Sequence, residues 1–286
     1  MRVLHLDTGK ERRGGQIQLE LLLEGLRGLG VESRVLAAAR SEHAESAELT
    51  VGRLRAWSRS ADLVHCHDAR SHTLAALWAR CPVVVSRRVI FPVKTGLLSK
   101  WKYGRPSLFL AISNAVACEL LRAGVPERKV EIVPDGVRLP AEVSSRSGPL
   151  VALETDDPLK GRALLRATGL AIHYVRELEA SFRTASAFLY ITESEGLGSA
   201  ALLAMAYGVP VIASRVGGLP EIVVHQSTGL LVNNHAVEIA AAAGRLKSDA
   251  ELAARLAAAG RRMVAERFTF EQMARKTVAA YQRVVG

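Results

Sequence analysis

From end to end this sequence alternates short apolar runs with longer stretches of three-to-four apolar periodicity, and that alternation is the strongest constraint on its fold. In the first half, residues 3–6, 33–36, 63–66, 83–86, 108–112 and 130–133 read as strands, and helical patterns such as 16–29 fill most of the gaps. A new strand-like run, LVALE, opens at Leu150, and 172–175, 187–191, 209–213 and 229–232 continue the scheme. Strands separated by helices fold as βα units around parallel sheets, so the fold class is α/β. From 236 to 285 the chain turns to Ala, Leu, Arg and Glu with apolar residues three or four apart, which predicts two or three amphipathic helices. A length of 286 residues corresponds to two domains at roughly 150 residues each. The Pro-, Ser- and Gly-rich LPAEVSSRSGP marks the boundary, giving domains at 1–140 and 149–286.

Composition narrows the setting. The chain carries 38 Lys and Arg against 28 Asp and Glu, a formal charge of +10, which favours an acidic partner. The excess is concentrated: between Asp68 and Glu119 there is no acidic residue but eight basic ones, with Phe91, Trp101, Tyr103 and Phe109 among them. Basic residues interleaved with aromatics suit an anionic membrane surface; the plainer reading is a solvated basic face over core aromatics. Nucleic acid is not expected, because no helix-turn-helix, zinc-finger or RNP pattern accompanies the charge. Three widely spaced cysteines, Cys66, Cys81 and Cys118, form no CxxC motif and point to a reducing cytoplasm. The opening MRVLHLD lacks a secretory pattern, and no 18-residue apolar run is present, so any membrane contact is expected to be peripheral.

Two loops carry potential chemistry. DTGKERRGGQ joins the first strand to a helix, and Gly14 and Gly15 there let backbone N–H groups approach a phosphate, or else form a simple turn. No G-x-G-x-x-G or Walker motif accompanies them, so a dinucleotide enzyme loses its main support. The second loop lies in AFLYITESEGLGSAALLAMAYGVPVIASRVGGLPEIV, where a buried strand meets an acidic loop and then Gly196 and Gly198 at a helix start. This arrangement puts Glu195 and backbone donors at the C-terminal edge of a parallel sheet, where α/β proteins bind ligands. The carboxylate can accept hydrogen bonds from sugar hydroxyls while the amides receive a diphosphate. His65 and His67 point the same way from one strand, which offers a pair of metal ligands, but a plain strand end is the preferred reading and no metal is expected.

The stretch from Glu195 to Glu221 resembles the donor-site signature of the GT-B-fold retaining glycosyltransferases of family 4, also called group 1. Further matches are Gly14-Gly15, DLVHCHD at 62–68, ISNAVACELLRAGVP at 112–126, IVPDGV at 132–137 and the final RFTFEQMARKTVAAYQRV. The resemblance implies two Rossmann-like parallel-sheet domains facing across a cleft, the second shortened, with the last helix crossing back to the first. It implies a metal-independent glycosyltransferase with no cofactor, taking a nucleotide-diphosphate sugar as co-substrate and a glycan or glycolipid as acceptor, with retention. Lys160 matches the family's phosphate-binding lysine and Glu195 its sugar-contacting glutamate, so these two are the expected catalytic residues. The expected donor-binding set adds Gly14, Gly15, Gly196, Leu197, Gly198 and Ser199, and the expected acceptor-binding set is His67, Asp68, Arg87 and Arg88.

The chain departs from the family pattern at three places. Leu203 stands where a second glutamate binds the nucleotide ribose; Glu154 and Thr155 stand near where an arginine precedes the lysine; and Arg87-Arg88 replace a histidine found in some members. An arginine cannot act as a base at neutral pH, although it can grip a phosphate with two hydrogen bonds. These departures leave, as the alternative, a degenerate GT-B-like protein that binds glycan or a partner without catalysis. The RGGQ and SRRV segments resemble those of envelope-glycan transferases, which implies lipopolysaccharide or envelope-polysaccharide synthesis at the inner face of the cytoplasmic membrane.

Overall fold

In the computed structural model, which describes residues 1–38, 46–94 and 96–286, the chain divides into two units, one of Met1–Gly136 with Phe270–Gly286 and one of Val137–Thr269. The division falls at Gly136, ahead of the 139–149 stretch, and residues 270–286 group with the first unit. Unit 1 runs β1 (Arg2–Asp7), α1 (Gly14–Gly28), β2 (Glu32–Ala37), β3 (Ser46–Glu48), α2 (Val51–Trp57) and β4 (Leu63–Cys66). It continues through α3 (Ala69–Trp78), β5 (Val83–Arg87), α4 (Leu97–Gly104), β6 (Leu108–Ala111), α5 (Asn114–Arg122) and β7 (Val130–Ile132). Unit 2 holds β8 (Leu150–Leu153), α6 (Arg162–Ala167), β9 (Ile172–Val175), α7 (Leu178–Phe182), β10 (Ala187–Tyr190), α8 (Ser199–Ala206) and β11 (Val211–Ser214). It ends with α9 (Leu219–Ile222), β12 (Leu230–Val232), α10 (Ala236–Ser248) and α11 (Ala250–Arg267), and α12 (Phe270–Val285) returns to unit 1.

Both sheets are parallel throughout, in the orders β3-β2-β1-β4-β5-β6-β7 and β12-β11-β10-β8-β9. Helices cover both faces of such a sheet, so its central strands are apolar without alternation; β6 (LFLA) and β10 (AFLY) are buried at every position. β3 escapes sequence reasoning because SAE, at the sheet edge, has no apolar run and no buried residue. β11 starts at Val211 rather than 209 because Pro210 has no N–H to give the ladder. Helix starts follow their polar caps: Asp68, Thr50, Ser113 and Asp249 each accept backbone N–H groups of the first turn that follows.

Each unit has its own core. In unit 1, Leu22 and Leu26 of α1 pack with Met273, Ala274 and Tyr281 of α12 against the sheet residues Val84 and Leu110. In unit 2, Leu189 and Ile212 of the sheet meet Ile239, Leu246 and Leu256 of α10 and α11. Strand order reverses between β1 and β4 in the first sheet and between β8 and β10 in the second. The loops leaving those strands therefore flank the crevices where parallel sheets take ligands. Among the described residues, no helix is long and apolar enough to cross a membrane.

Candidate active site

The unit 2 crevice assembles residues that are far apart in sequence. The loop after β8 ends in a single 3-10 turn, Pro158–Lys160, capped by Asp157, whose Oδ1 accepts the Leu159 N–H at 3.0 Å. The loop after β10 is stitched to it: Glu193 N–H and Thr192 Oγ1 both donate to the Leu159 carbonyl, at 2.8 and 2.9 Å. Thr192 is held from below by Ser214 and Asn234. Its N–H donates to Ser214 Oγ at 2.9 Å, and its carbonyl accepts from Asn234 Nδ2 at 2.9 Å. This frame sets Lys160 Nζ 2.7 Å from Glu195 Oε2, with both side chains mostly covered (23% and 16% exposed).

A third residue completes the pair. The buried Tyr190 hydroxyl donates to the same Glu195 Oε2 and accepts from Lys160 Nζ at 3.3 Å, while the ammonium lies 5.2 Å from the centre of its ring. Burial, and then the Glu195 carboxylate, push the phenol's pKa well above its usual value, so the hydroxyl keeps its proton and acts as donor. The other carboxylate oxygen of Glu195 accepts the Gly196 N–H at 3.0 Å. Sequence reasoning missed Tyr190, whose only signal was a hydroxyl at the end of a fully buried strand, where a polar tip needs a partner.

Beyond Glu195 the chain turns into α8 through Gly198, at φ 106°. Leu197 is buried, and Gly198 has no side chain to give the first-turn amides of α8. The loop is pressed from outside by Gly217 and Gly218. A Cβ on Gly217 would lie 2.0 Å from the Glu195 carbonyl oxygen, and one on Gly218 2.1 Å from that of Gly196. Ser199 and Leu203 are one turn apart on the partly exposed side of α8, and 204–206 are buried. The Leu203 side chain thus stands on the partly exposed side and offers no hydrogen bond. Of the acidic residues ahead of Lys160, Glu154 pairs with Arg162 at 2.7 Å, and Arg162 lies over the Tyr174 ring at 5.5 Å, whereas the Asp157 charge stays close enough to add to the rise of the Tyr190 pKa.

In unit 1, Gly14 and Gly15 open α1 after β1, and a Cβ on either would meet nothing within 4 Å. Packing within the chain thus makes no demand for glycine there. Gln16 closes the loop, its Oε1 accepting the Arg13 N–H at 3.2 Å and its Nε2 donating to Asp7 at 3.1 Å. The structure brings His67 and Arg88 together, with Arg88 Nη1 3.4 Å from His67 Nδ1 and its Nε 3.0 Å from buried Asp135 Oδ1. Asp68 and Arg87 are engaged elsewhere. The Asp68 carboxylate takes both the N–H and the hydroxyl of Thr8 at 2.7 Å and caps α3 through Arg70 and Ser71. Arg87 donates to Tyr103 Oη at 3.0 Å and to the Phe91 carbonyl.

Behind His67 lies a buried imidazole network. His67 Nε2 is 3.0 Å from His5 Nδ1, and His65 pairs with Tyr281 (2.6 Å) and Ser86 (2.8 Å) through its two nitrogens. An arginine can only donate, so His67 accepts at Nδ1 and carries its proton on Nε2, which makes His5 Nδ1 an acceptor. Burial lowers the His5 pKa to about 3 and that of His65 well below its ordinary value, His5 and Arg88 adding to the latter. Ligand nitrogens of the three histidines lie within 4.8 Å of one another. A cation there would displace Tyr281 or Ser86 and sit beside a guanidinium, so the arrangement suits a hydrogen-bonded network better than a metal centre.

Two family models cover most of the chain: Glycosyltransferase Family 4 matches residues 12–139 and Glycosyl transferases group 1 matches 162–263. A GDP-mannose-dependent alpha-(1-6)-phosphatidylinositol monomannoside mannosyltransferase of Mycobacterium tuberculosis is 43% identical over 83 residues, 29% of this chain and 22% of that protein. Alpha-maltose-1-phosphate synthase of Mycolicibacterium smegmatis is 33% identical over 158 residues, 53% of this chain and 38% of that protein. The chain therefore matches well under two thirds of the length of either curated relative. The crystal structure of Anabaena Alr3699/HepE in complex with UDP superposes with a TM-score of 0.87 over 99% of this chain and 100% of that one, at 16% identity, and shows the GT-B fold. Signature residues, sheet orders and family models agree: the chain belongs to the group 1, family 4 glycosyltransferases.

Proposed function

We propose that this protein transfers a sugar from a nucleoside-diphosphate sugar to a glycan or glycolipid acceptor, with retention at the anomeric carbon, in envelope-polysaccharide or lipopolysaccharide synthesis. The observation that carries this reading is the convergence of Lys160 and Glu195, 2.7 Å apart at the switch point of the unit 2 sheet and beside the start of α8. Breaking the bond between the anomeric carbon and the diphosphate leaves negative charge on the departing phosphate. An ammonium and a helix N-terminus aimed at that charge stabilise the transition state more than the ground state. Glu195, an acceptor only, suits sugar hydroxyls. Both roles require the Lys160–Glu195 pair to open as the donor enters. In this reading Gly14 and Gly15 leave room for a phosphate, His67 and Arg88 face the acceptor, and the nucleotide sugar is the co-substrate with no metal or cofactor. The two curated relatives support the class of chemistry, one being named for a phosphatidylinositol monomannoside, a glycolipid. In this reading the protein works in the cytoplasm, peripherally on the inner face of the membrane.

Calorimetric titration with UDP, GDP, ADP and CMP tests the donor site. One nucleoside diphosphate is expected to bind, and Lys160→Ala to weaken it at least about tenfold by removing a charged hydrogen bond. Glu195→Ala is expected to leave nucleotide binding within about threefold while lowering sugar transfer at least about a hundredfold. Transfer unchanged in both variants would remove the assignment.

A further inference from the structure

Helix α4 is built inside out. Its inward side is held by polar groups: Lys102 Nζ donates to the Ala69 carbonyl at 2.8 Å, and Tyr103 accepts from Arg87 and stacks on Phe109 with ring centres 5.6 Å apart. None of its residues is buried. Outward it presents Leu97 and Leu98, 87% and 84% exposed, and Trp101, 46% exposed. With 3.6 residues per turn, Leu97 and Trp101 share one side and Leu98 flanks it, so the three form a single ridge. The connection from β5 adds exposed Phe91 and Val89.

A contiguous apolar ridge in water is unfavourable unless something covers it, and the charges around it say what does. Lys94 and Lys100, within three residues of Leu97 in the chain, are exposed, and no carboxylate occurs from 69 to 118. Leucines and an indole that project outward, rimmed by cations, match a bilayer with anionic headgroups: the apolar groups reach the acyl boundary while the ammoniums meet phosphates. We propose that α4 and the adjoining Phe91 dock this protein on an anionic lipid membrane by inserting Leu97, Leu98 and Trp101 below the headgroups. The inference rests on the membrane part of the function proposed above and gives it a contact surface. Arg87, at the end of β5, binds both Tyr103 and the Phe91 carbonyl. The ridge is therefore tied to the strand end that carries Arg88, and docking sets that edge against the lipid.

The test is co-sedimentation of the whole chain with phosphatidylcholine vesicles, with and without phosphatidylglycerol. Wild type is expected to sediment with the anionic vesicles. Leu97→Ser/Leu98→Ser/Trp101→Ser should lower partitioning at least about tenfold with an unchanged melting temperature, and Lys94→Glu/Lys100→Glu should lower it on the anionic vesicles. In a Trp57→Phe/Trp78→Phe background, lipids brominated in the acyl chain should quench Trp101. Sedimentation of the triple serine variant like wild type, or an unquenched Trp101, overturns the proposal. So does a wild-type dimer that the serine variant dissolves without any lipid binding, since the ridge then covers a second copy. Vesicle binding needs no donor, so a protein that binds lipid but transfers no sugar keeps this inference and defeats the functional reading. Transfer to a soluble acceptor without lipid binding does the reverse.

Discussion

Replacing Tyr190 by Phe removes one oxygen atom from the centre of the candidate site and leaves the ring. The stacking on Phe188, with centres 5.5 Å apart, and the approach of Lys160 to the ring face both survive. What goes is the hydroxyl that donates to Glu195 Oε2 and accepts from Lys160. A hydrogen bond to a charged acceptor is worth about 1.5–3 kcal/mol net. Lys160 still sits 2.7 Å from the same oxygen, so the loss belongs at the low end, about 1.5 kcal/mol. For a chain of this size that lowers the melting temperature by about 3–6 °C. In a Lys160→Ala background the phenol becomes the main donor to that oxygen, and its removal should cost about 3 kcal/mol. Calorimetric unfolding of the four proteins of this double-mutant cycle should therefore show a coupling of at least about 1 kcal/mol between Tyr190 and Lys160. Additivity within about 0.5 kcal/mol, or a Tyr190→Phe protein as stable as wild type, would refute the shared-oxygen account.

Other consequences follow from the same geometry. Gly217→Ala places a Cβ 2.0 Å from the Glu195 carbonyl at φ 53°, and the resulting backbone shift should cost at least about 3 kcal/mol and abolish nucleotide binding; a melting point within a degree of wild type would contradict this. Histidine burial predicts acid sensitivity. His5 and His72 are held at about 3 and 4, and His65 well below its ordinary value, whereas unfolded histidine binds a proton near 6.5. The folded pKa is the lower one, so this stability is fully present above about pH 6.5 and is lost as pH falls toward 4, by about 1.4 kcal/mol per pH unit for each histidine. Urea unfolding between pH 7 and 5 should show that slope, and His72→Gln should remove one histidine's share of it; an unaltered slope would sink the explanation.

Legible in the amino-acid order alone were the α/β class, eleven of the twelve strands among the described residues and the loops that carry Lys160, Glu195 and the glycines of α8. Buried parallel strands must be apolar on both faces, and their punctuation by Gly, Pro and Asp is local chemistry that can be read in order. β3 was illegible because an edge strand of SAE buries nothing. The sequence did not reveal that Tyr190 shares an oxygen with Lys160, that Asp135 holds Arg88, or that Asp68 closes a loop onto Thr8. Each of these joins residues 30 to 60 apart, across strands whose neighbours are set by sheet order. Nor could periodicity tell that α4 turns its leucines outward, because an amphipathic pattern names two faces and only packing decides which one meets the core. Side-chain type and spacing are local properties of the chain, whereas partnership is a property of the sheet that folds it.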